Sequence, residues 1–275
     1  MYNSVLNAQN EHAEDNIFKV HVKPEALLST INLSKRFGGV VALNKVNIYV
    51  YPETLTLLIG PNGSGKTTLI NVIDGLLRAD EGQIYFAGRE ISKLPPHERF
   101  RLGLARTFQV PQLFSSLSVL ENILVPERSF YEERVLELLL GSAWKVKEKE
   151  YIERAFNILR LLNLEHMWDS PASQLSGGQM KLLELARVLM SEPKLVILDE
   201  PLAGVNPTLA NEIMGYLTRL RAELGVSFLI IEHRLDIALK FVDYVFAMHQ
   251  GEVIAQGLPD EVIKHPAVVE AYLGG

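Results

Sequence analysis

The sequence predicts an α/β fold: an open parallel sheet covered by helices, with an all-helical stretch inserted into it. Three observations predict it. After residue 25, short apolar strands alternate with helical stretches, the pattern of strands joined by helical crossovers. From Val119 to Met190 helical periodicity dominates and β-type alternation nearly vanishes. The apolar run Leu55–Ile59 passes directly into a glycine-rich turn and then a helix, the local form of an anion-binding strand–loop–helix unit.

Taken in order, residues 1–25 mix Asn and Gln with Glu11, Glu14 and Asp15 and contain no continuous apolar region. They read as a flexible extension, not a signal peptide. Asn47–Val50 and Leu55–Ile59 read as strands, and Gly65 to Gly75 as a helix. Gln83–Phe86 and Leu104–Phe108 are the next strands. In the helical middle, Glu132–Leu140 and Glu148–Leu162 stand out, and the charge run Lys145–Glu150 reads as a solvated helix start. Strands return at Leu195–Leu198, Ser227–Ile231 and Tyr244–Met248. The expected organisation is an extension over 1–25, one domain over 26–262 with a helical insert at about 110–187, and a tail over 263–275.

With 275 residues the chain can bury a core without staples. Lys and Arg number 27 against 33 Asp and Glu, a net charge of −6. That balance lacks the basic footprint of an autonomous nucleic-acid binder or a polybasic membrane anchor. The absence of cysteine excludes disulfides and thiol catalysis. No apolar run approaches the ~20 residues that span a bilayer.

The turn after Leu55–Ile59 is Gly60-Pro61-Asn62-Gly63-Ser64-Gly65-Lys66-Thr67, followed by Thr68. Glycines at this spacing let backbone wrap a phosphate, and the N–H groups of residues 63–68 point at the anion from a helix N-terminus. Lys66 can reach the β- and γ-phosphates, and the Thr67 hydroxyl can ligate Mg²⁺. The loop predicts nucleoside triphosphate binding without saying which reaction follows. A second strand, Leu195–Leu198, ends in Asp199 and Glu200. Ligands of open parallel sheets bind beyond the carboxyl ends of strands, which places Asp199 beside the metal and Glu200 where it can orient or deprotonate water. Farther back in the chain, Ser176-Gly177-Gly178-Gln179 opens an apolar helical stretch. This reads either as a simple capped helix or as a second cradle for an anion.

Leu175-Ser176-Gly177-Gly178-Gln179 is the signature of the ATP-binding cassette (ABC) ATPases, standing as in that family between the phosphate loop and the acidic strand. Other pieces match in order. Thr107-Phe108-Gln109 resembles the Q-loop, and His233, after Phe228–Glu232, resembles the switch histidine. Phe37 in Ser34-Lys35-Arg36-Phe37-Gly38-Gly39 resembles the aromatic that stacks on adenine, and Pro201–Asn206 falls where the D-loop belongs. The resemblance covers residues 27 to 260. It implies a P-loop NTPase (RecA-like) core, an antiparallel β subdomain and an inserted α-helical subdomain. It also implies head-to-tail pairing with a second cassette, identical or a sister chain, so that Ser176 and Gly178 meet the partner's ATP. Lys66 and Mg²⁺, held by Thr67, Gln109 and Asp199, would neutralise charge. Glu200 would act on water, and His233 would hold the γ-phosphate. The implied partners are membrane permease subunits and, indirectly, a solute-binding protein, with the chain on the cytoplasmic face of the membrane.

Finer features resemble the ATPases of branched-chain amino acid importers: Ala203-Gly204-Val205-Asn206-Pro207, Ile231-Glu232-His233, and the ending Ala271-Tyr272-Leu273-Gly274. Urea-type importer and lipopolysaccharide-export ATPases share this pattern closely. The Ser-Gly-Gly-Gln signature departs from the Ser-Tyr-Gly-Gln frequent in the importer group. A non-transport cassette protein would carry two cassettes or a long coiled coil, and a phosphate-loop kinase would lack the signature.

Overall fold

The computed structural model describes residues 25–107, 113–125 and 143–273. The N-terminal residues up to 24, Phe108 and Gln109, and the predicted helix Glu132–Leu140 lie outside the described residues. In chain order the strands are β1 (Leu28–Phe37), β2 (Val40–Val46), β3 (Tyr49–Val50), β4 (Leu55–Ile59), β5 (Glu81–Phe86), β6 (Arg89–Glu90), β7 (Leu104–Arg106), β8 (Leu195–Asp199), β9 (Ser227–Ile231), β10 (Tyr244–His249) and β11 (Glu252–Gly257). The helices are α1 (Lys66–Asp74), α2 (Pro96–Arg101), α3 (Val119–Leu124), α4 (Ala143–Leu161), α5 (Gly177–Leu189), α6 (Pro207–Leu224), α7 (Leu235–Ala238), α8 (Pro259–Val262) and α9 (Pro266–Leu273).

Two sheets form the frame. The larger runs β11-β10-β4-β9-β8-β7. Its strands from β10 to β7 are parallel, and β11 pairs antiparallel with β10. All five residues of β4 and of β9 are buried, as expected of parallel strands covered on both faces. Burying each such Leu or Ile contributes about 1.5–3 kcal/mol, so these strands fix the register of the turns at their ends. The smaller antiparallel sheet runs β2-β1-β5-β6, with β3 on β1. It packs its inner face, including Leu28, Leu43 and Phe86, with α1 and the larger sheet in one core.

The helix expected between Gly65 and Gly75 is α1, and both glycines bound it with positive φ. Its carboxyl end is capped by a buried arginine that the sequence did not suggest. Arg99 donates to Val72 O at 2.7 Å, Ile73 O at 2.6 Å and Leu94 O at 2.9 Å. Burial lowers its pKa to about 10, with Asp74 opposing.

The expected strand at Asn47–Val50 is shorter, Tyr49–Val50. The Asn47 side chain is taken by the turn, donating to Lys45 O and accepting from Asn32 N–H. Among the described residues between β7 and β8 the elements are helices and short 3-10 turns, apart from one bridge pairing Ser118 with Pro171. α3 opens with a capping box between Ser118 and Glu121 and packs with α4 and α5. Within the stretch expected as a tail, α9 packs on β11, with Val268 and Ala271 buried.

Candidate nucleotide site

The sheet order decides what meets at the site. β4 leads into the phosphate loop, β9 into Glu232 and His233, β8 into Asp199 and Glu200, and β7 into Thr107. Since β9 lies between β4 and β8, His233 leaves the sheet between the loop and the acids, each neighbouring strand about 5 Å away.

The loop is braced from beneath. A Cβ on Gly60 would stand 2.3 Å from Met248 O, and one on Gly65 would stand 2.5 Å from Ala42 O. Gly65 has φ 101° and Gly63 φ 79°, a region that glycine alone enters without strain. Gly251 N–H donates to Ser64 O, and Asn44 N–H to Gly251 O, tying the loop to the β10–β11 turn and to β2. Pro61, Asn62 and Gly63 form the open crest of the loop.

Lys66 is only 6% exposed. Its ammonium donates to Gly60 O at 2.8 Å and Pro61 O at 3.0 Å, with Ser64 Oγ at 3.4 Å. Burial pushes its pKa down, while the Glu200 and Asp199 carboxylates oppose that shift. A dianionic phosphate in the cradle would offer the ammonium a stronger partner than these carbonyls. Thr67 and Thr68 sit on the first turn of α1, Thr67 exposed and Thr68 half-buried.

Across the site, His233 Nε2 lies 3.3 Å from Glu200 Oε1. Glu200 itself has φ 53°, left-handed backbone that costs a non-glycine residue about 1–3 kcal/mol and that clusters at functional sites. Its N–H donates to Ile231 O at 2.9 Å, continuing the β8–β9 ladder. Asp199 accepts from Arg106 Nη2 at 2.9 Å. Phe37 ends β1 with its ring 48% exposed and Lys35 Nζ 5.6 Å from the ring centroid.

The signature makes its own contacts at the start of α5. Among the described residues, no hydrogen bond or ion pair joins Ser176–Gln179 to residues 60–68. Ser176 caps α5: its Oγ accepts from Gln179 N–H, and Gln179 Oε1 accepts from Ser176 N–H. Gly177 is open, whereas a Cβ on Gly178 would meet Leu209 Cδ2 at 2.2 Å. Both readings of this segment therefore have a structural counterpart, a capping box and an exposed glycine turn.

Sequence reasoning missed three residues here. Arg106 looked like one more strand residue. Lys181 lies inside the stretch read as an apolar helix, and its ammonium bridges Glu200 O, Pro201 O and Ala203 O at 3.3, 3.1 and 2.6 Å. Glu232 is a carboxylate ending a fully buried strand, a visible signal whose partner lies 30 residues away.

The donor set fits a nucleotide and its metal. The cradle has no room for a Cβ at two glycines and holds a buried ammonium. Among the described residues no cluster of three or more His, Asp or Glu could hold a metal alone. Thr67 and Asp199 suit a cation that arrives with phosphate oxygens, the usual habit of Mg²⁺.

Comparison with known proteins agrees. The family described as ABC transporter matches residues 43–203, and the one described as branched-chain amino acid ATP-binding cassette transporter matches residues 252–275. The chain is 52% identical over 248 residues to an Archaeoglobus fulgidus protein named as a probable branched-chain amino acid transport ATP-binding protein, covering 90% of this chain and 95% of that one. Its identity to the Escherichia coli high-affinity branched-chain amino acid transport ATP-binding protein is 34% over 251 residues, covering 91% and 98%. A solved cassette of an ABC transporter in its ADP conformation superposes with a TM-score of 0.79 at 46% identity, covering 91% of this chain and 99% of that one. A nucleotide-free cassette gives 0.78, also at 46% identity, covering 91% and 100%. With phosphate loop, signature, acidic strand end and switch histidine set on this frame, the chain belongs to the ATP-binding cassette family of ABC transporters.

Proposed function

We propose that the chain is the ATP-hydrolysing, nucleotide-binding subunit of an importer for branched-chain amino acids. The observation that carries the chemistry is the placing of Lys66, His233 and Glu200 at the ends of the adjacent strands β4, β9 and β8, with His233 Nε2 3.3 Å from Glu200 Oε1. Phosphoryl transfer to water is catalysed mostly by positioning and charge. Lys66 and the backbone N–H groups of 63–68 bind the phosphates. Glu200 orients the attacking water and receives its proton. His233 holds the γ-phosphate and, through its contact with Glu200, the water's orienting group. Bound with the nucleotide, Mg²⁺ would neutralise phosphate charge, held by Thr67, Asp199 and Gln109.

The signature supports pairing. Among the described residues Ser176–Gln179 makes no hydrogen bond to the chain's own loop, and the exposed Ser176–Gly177 turn would meet ATP on a second cassette. ATP then stabilises the closed pair and hydrolysis releases it, a population shift driven by differential binding. The helical insert expected after Gln109 would be the surface that receives membrane permease subunits, which a solute-binding protein would supply. The substrate assignment rests on the kinship with branched-chain amino acid transport cassettes. Among the described residues no helix is long and apolar enough to cross a membrane, so on this reading the pore belongs to other chains and this one sits at the cytoplasmic face.

The test is turnover and pairing of wild type against Glu200→Gln. Glutamine keeps the shape and loses the base. Hydrolysis should fall by about 10²–10⁴-fold, with an ATP-dependent dimer retained by light scattering. A variant that hydrolyses like wild type overturns the role of Glu200. If the wild type neither pairs nor turns over alone, a sister cassette completes the site, and co-expression restores both.

A further inference from the structure

Glu232 is 2% exposed, and a buried carboxylate is costly unless hydrogen bonds satisfy it. It accepts three backbone N–H bonds. Oε1 takes Leu202 N–H at 2.5 Å, and Oε2 takes His233 N–H at 3.0 Å and Arg234 N–H at 3.2 Å. The last two are local and could be read as closing the turn before α7. The first is not, because Leu202 belongs to the loop that follows Glu200. Arg234 makes a second tie between the same segments, its Nη1 donating to Val205 O at 2.9 Å. Lys181 also holds the loop, its ammonium spanning the carbonyls of Glu200, Pro201 and Ala203.

The segment carrying Glu200 and the turn carrying His233 are therefore joined by one carboxylate, and their two side chains face each other. We infer that Glu232 is a positioning residue for hydrolysis: its carboxylate clamps the loop of residues 201–205 to the His233 turn, sets the Glu200–His233 spacing, and passes displacements of the loop to His233. Charge-assisted bonds to N–H groups are short and directional, which suits a rigid link. The inference rests on the roles proposed for Glu200 and His233.

Glu232→Gln tests it with little change of shape. The amide keeps one acceptor oxygen, so it can hold the loop or the turn but not both, and its NH₂ group then faces an N–H donor. In whichever assembly the wild type turns over, chain alone or co-expressed complex, kcat should fall about 10- to 100-fold, the scale of an ångström-sized misplacement. KM for ATP should stay within about twofold, because Glu232 touches no part of the cradle. Amide hydrogen exchange in a peptide covering residues 201–205 should quicken more than in β4 or β9. Wild-type kcat in Glu232→Gln overturns the clamp. So does a loss of activity that tracks a raised KM, or unaltered exchange at 201–205. Glu200→Gln run in parallel separates the two levels. If it hydrolyses like wild type, the catalytic reading fails and the clamp with it. If it is inactive while Glu232→Gln turns over normally, only the clamp fails.

Discussion

Arg106 donates to Asp199 Oδ2 at 2.9 Å from a pair of side chains that are 8% and 13% exposed. The same guanidinium donates to Asn71 Oδ1 at 2.7 Å on α1 and lies 3.9 Å from Asp74 Oδ2. One side chain thus ties β7, β8 and the phosphate-loop helix together. Burial already pushes the Asp74 carboxyl up, with Arg106 and then Arg99 opposing. Arg106→Ala would leave two carboxylates without their cation. Stability should fall by about 3 kcal/mol or more, the scale for breaking a buried pair, read from urea unfolding. Arg106→Lys should recover only part, since an ammonium cannot reproduce the planar fork. A loss below about 1 kcal/mol, the worth of an exposed pair, would show that the tie is not structural.

The glycines of the phosphate loop should separate by what stands beneath them. Gly65→Ala drives a Cβ to 2.5 Å from Ala42 O and Gly60→Ala to 2.3 Å from Met248 O, both backbone atoms. Gly63 has φ 79° and nothing within 4 Å. Gly63→Ala should therefore cost only the left-handed strain of about 1–2 kcal/mol, with ATP still bound. Gly60→Ala and Gly65→Ala should cost more than that and abolish binding of a fluorescent ATP analogue. Equal effects at all three positions would mean that conformation, not space, sets the requirement.

Stability should carry an acid limb traceable to Asp80. Its carboxylate accepts from Lys35 Nζ at 2.8 Å and from Arg36 N–H at 2.6 Å, which hold it below the ordinary 3.8. With the folded value depressed, the unfolded chain takes up this proton first as pH falls. The contribution is thus present above about pH 3.8 and is lost as pH drops through the folded value. Melting curves from pH 6 down to pH 3 should show Asp80→Asn less stable than wild type at the upper end and converging with it at the lower. Parallel curves across that range would refute the assignment.

What was legible followed chain-local chemistry. The phosphate loop, the acids after β8, the signature and the histidine after β9 each declare themselves within a few residues. The alternation of buried strands and helices then puts the loop, the acids and the histidine at one end of the sheet. The β1–β2 hairpin was not legible. Asn32 at φ 49° breaks the alternation of β1, and its pairing with β5 shifts register between Ile31 and Ser34, so the period-2 signal slips. β2 exposes Val40 and Val41, which blurs the pattern further. Arg106, Lys181 and Glu232 escaped for another reason. Each acts on a partner distant in sequence, and only the folded sheet order brings the two together.

Phe37 offers the cleanest separation of binding from chemistry. It ends β1 beside the β2 residues that brace the phosphate loop, and its ring is 48% exposed where aromatic rings are usually covered. Lys35, held by Asp80, stands 5.6 Å from the ring centroid and adds positive charge beside the ring. Stacking of a base on an aromatic ring is worth about 1–3 kcal/mol, and 1.4 kcal/mol is about tenfold in affinity. Phe37→Ala should therefore weaken ATP binding about tenfold or more. Turnover at saturating ATP should stay near wild type, because Glu200 and His233 are untouched. Phe37→Tyr, which keeps the ring, should restore the affinity. GTP should suffer in parallel with ATP, since a ring face does not read the edge of a purine. If Phe37→Ala binds ATP normally, or loses kcat rather than affinity, the exposed ring is not the base platform.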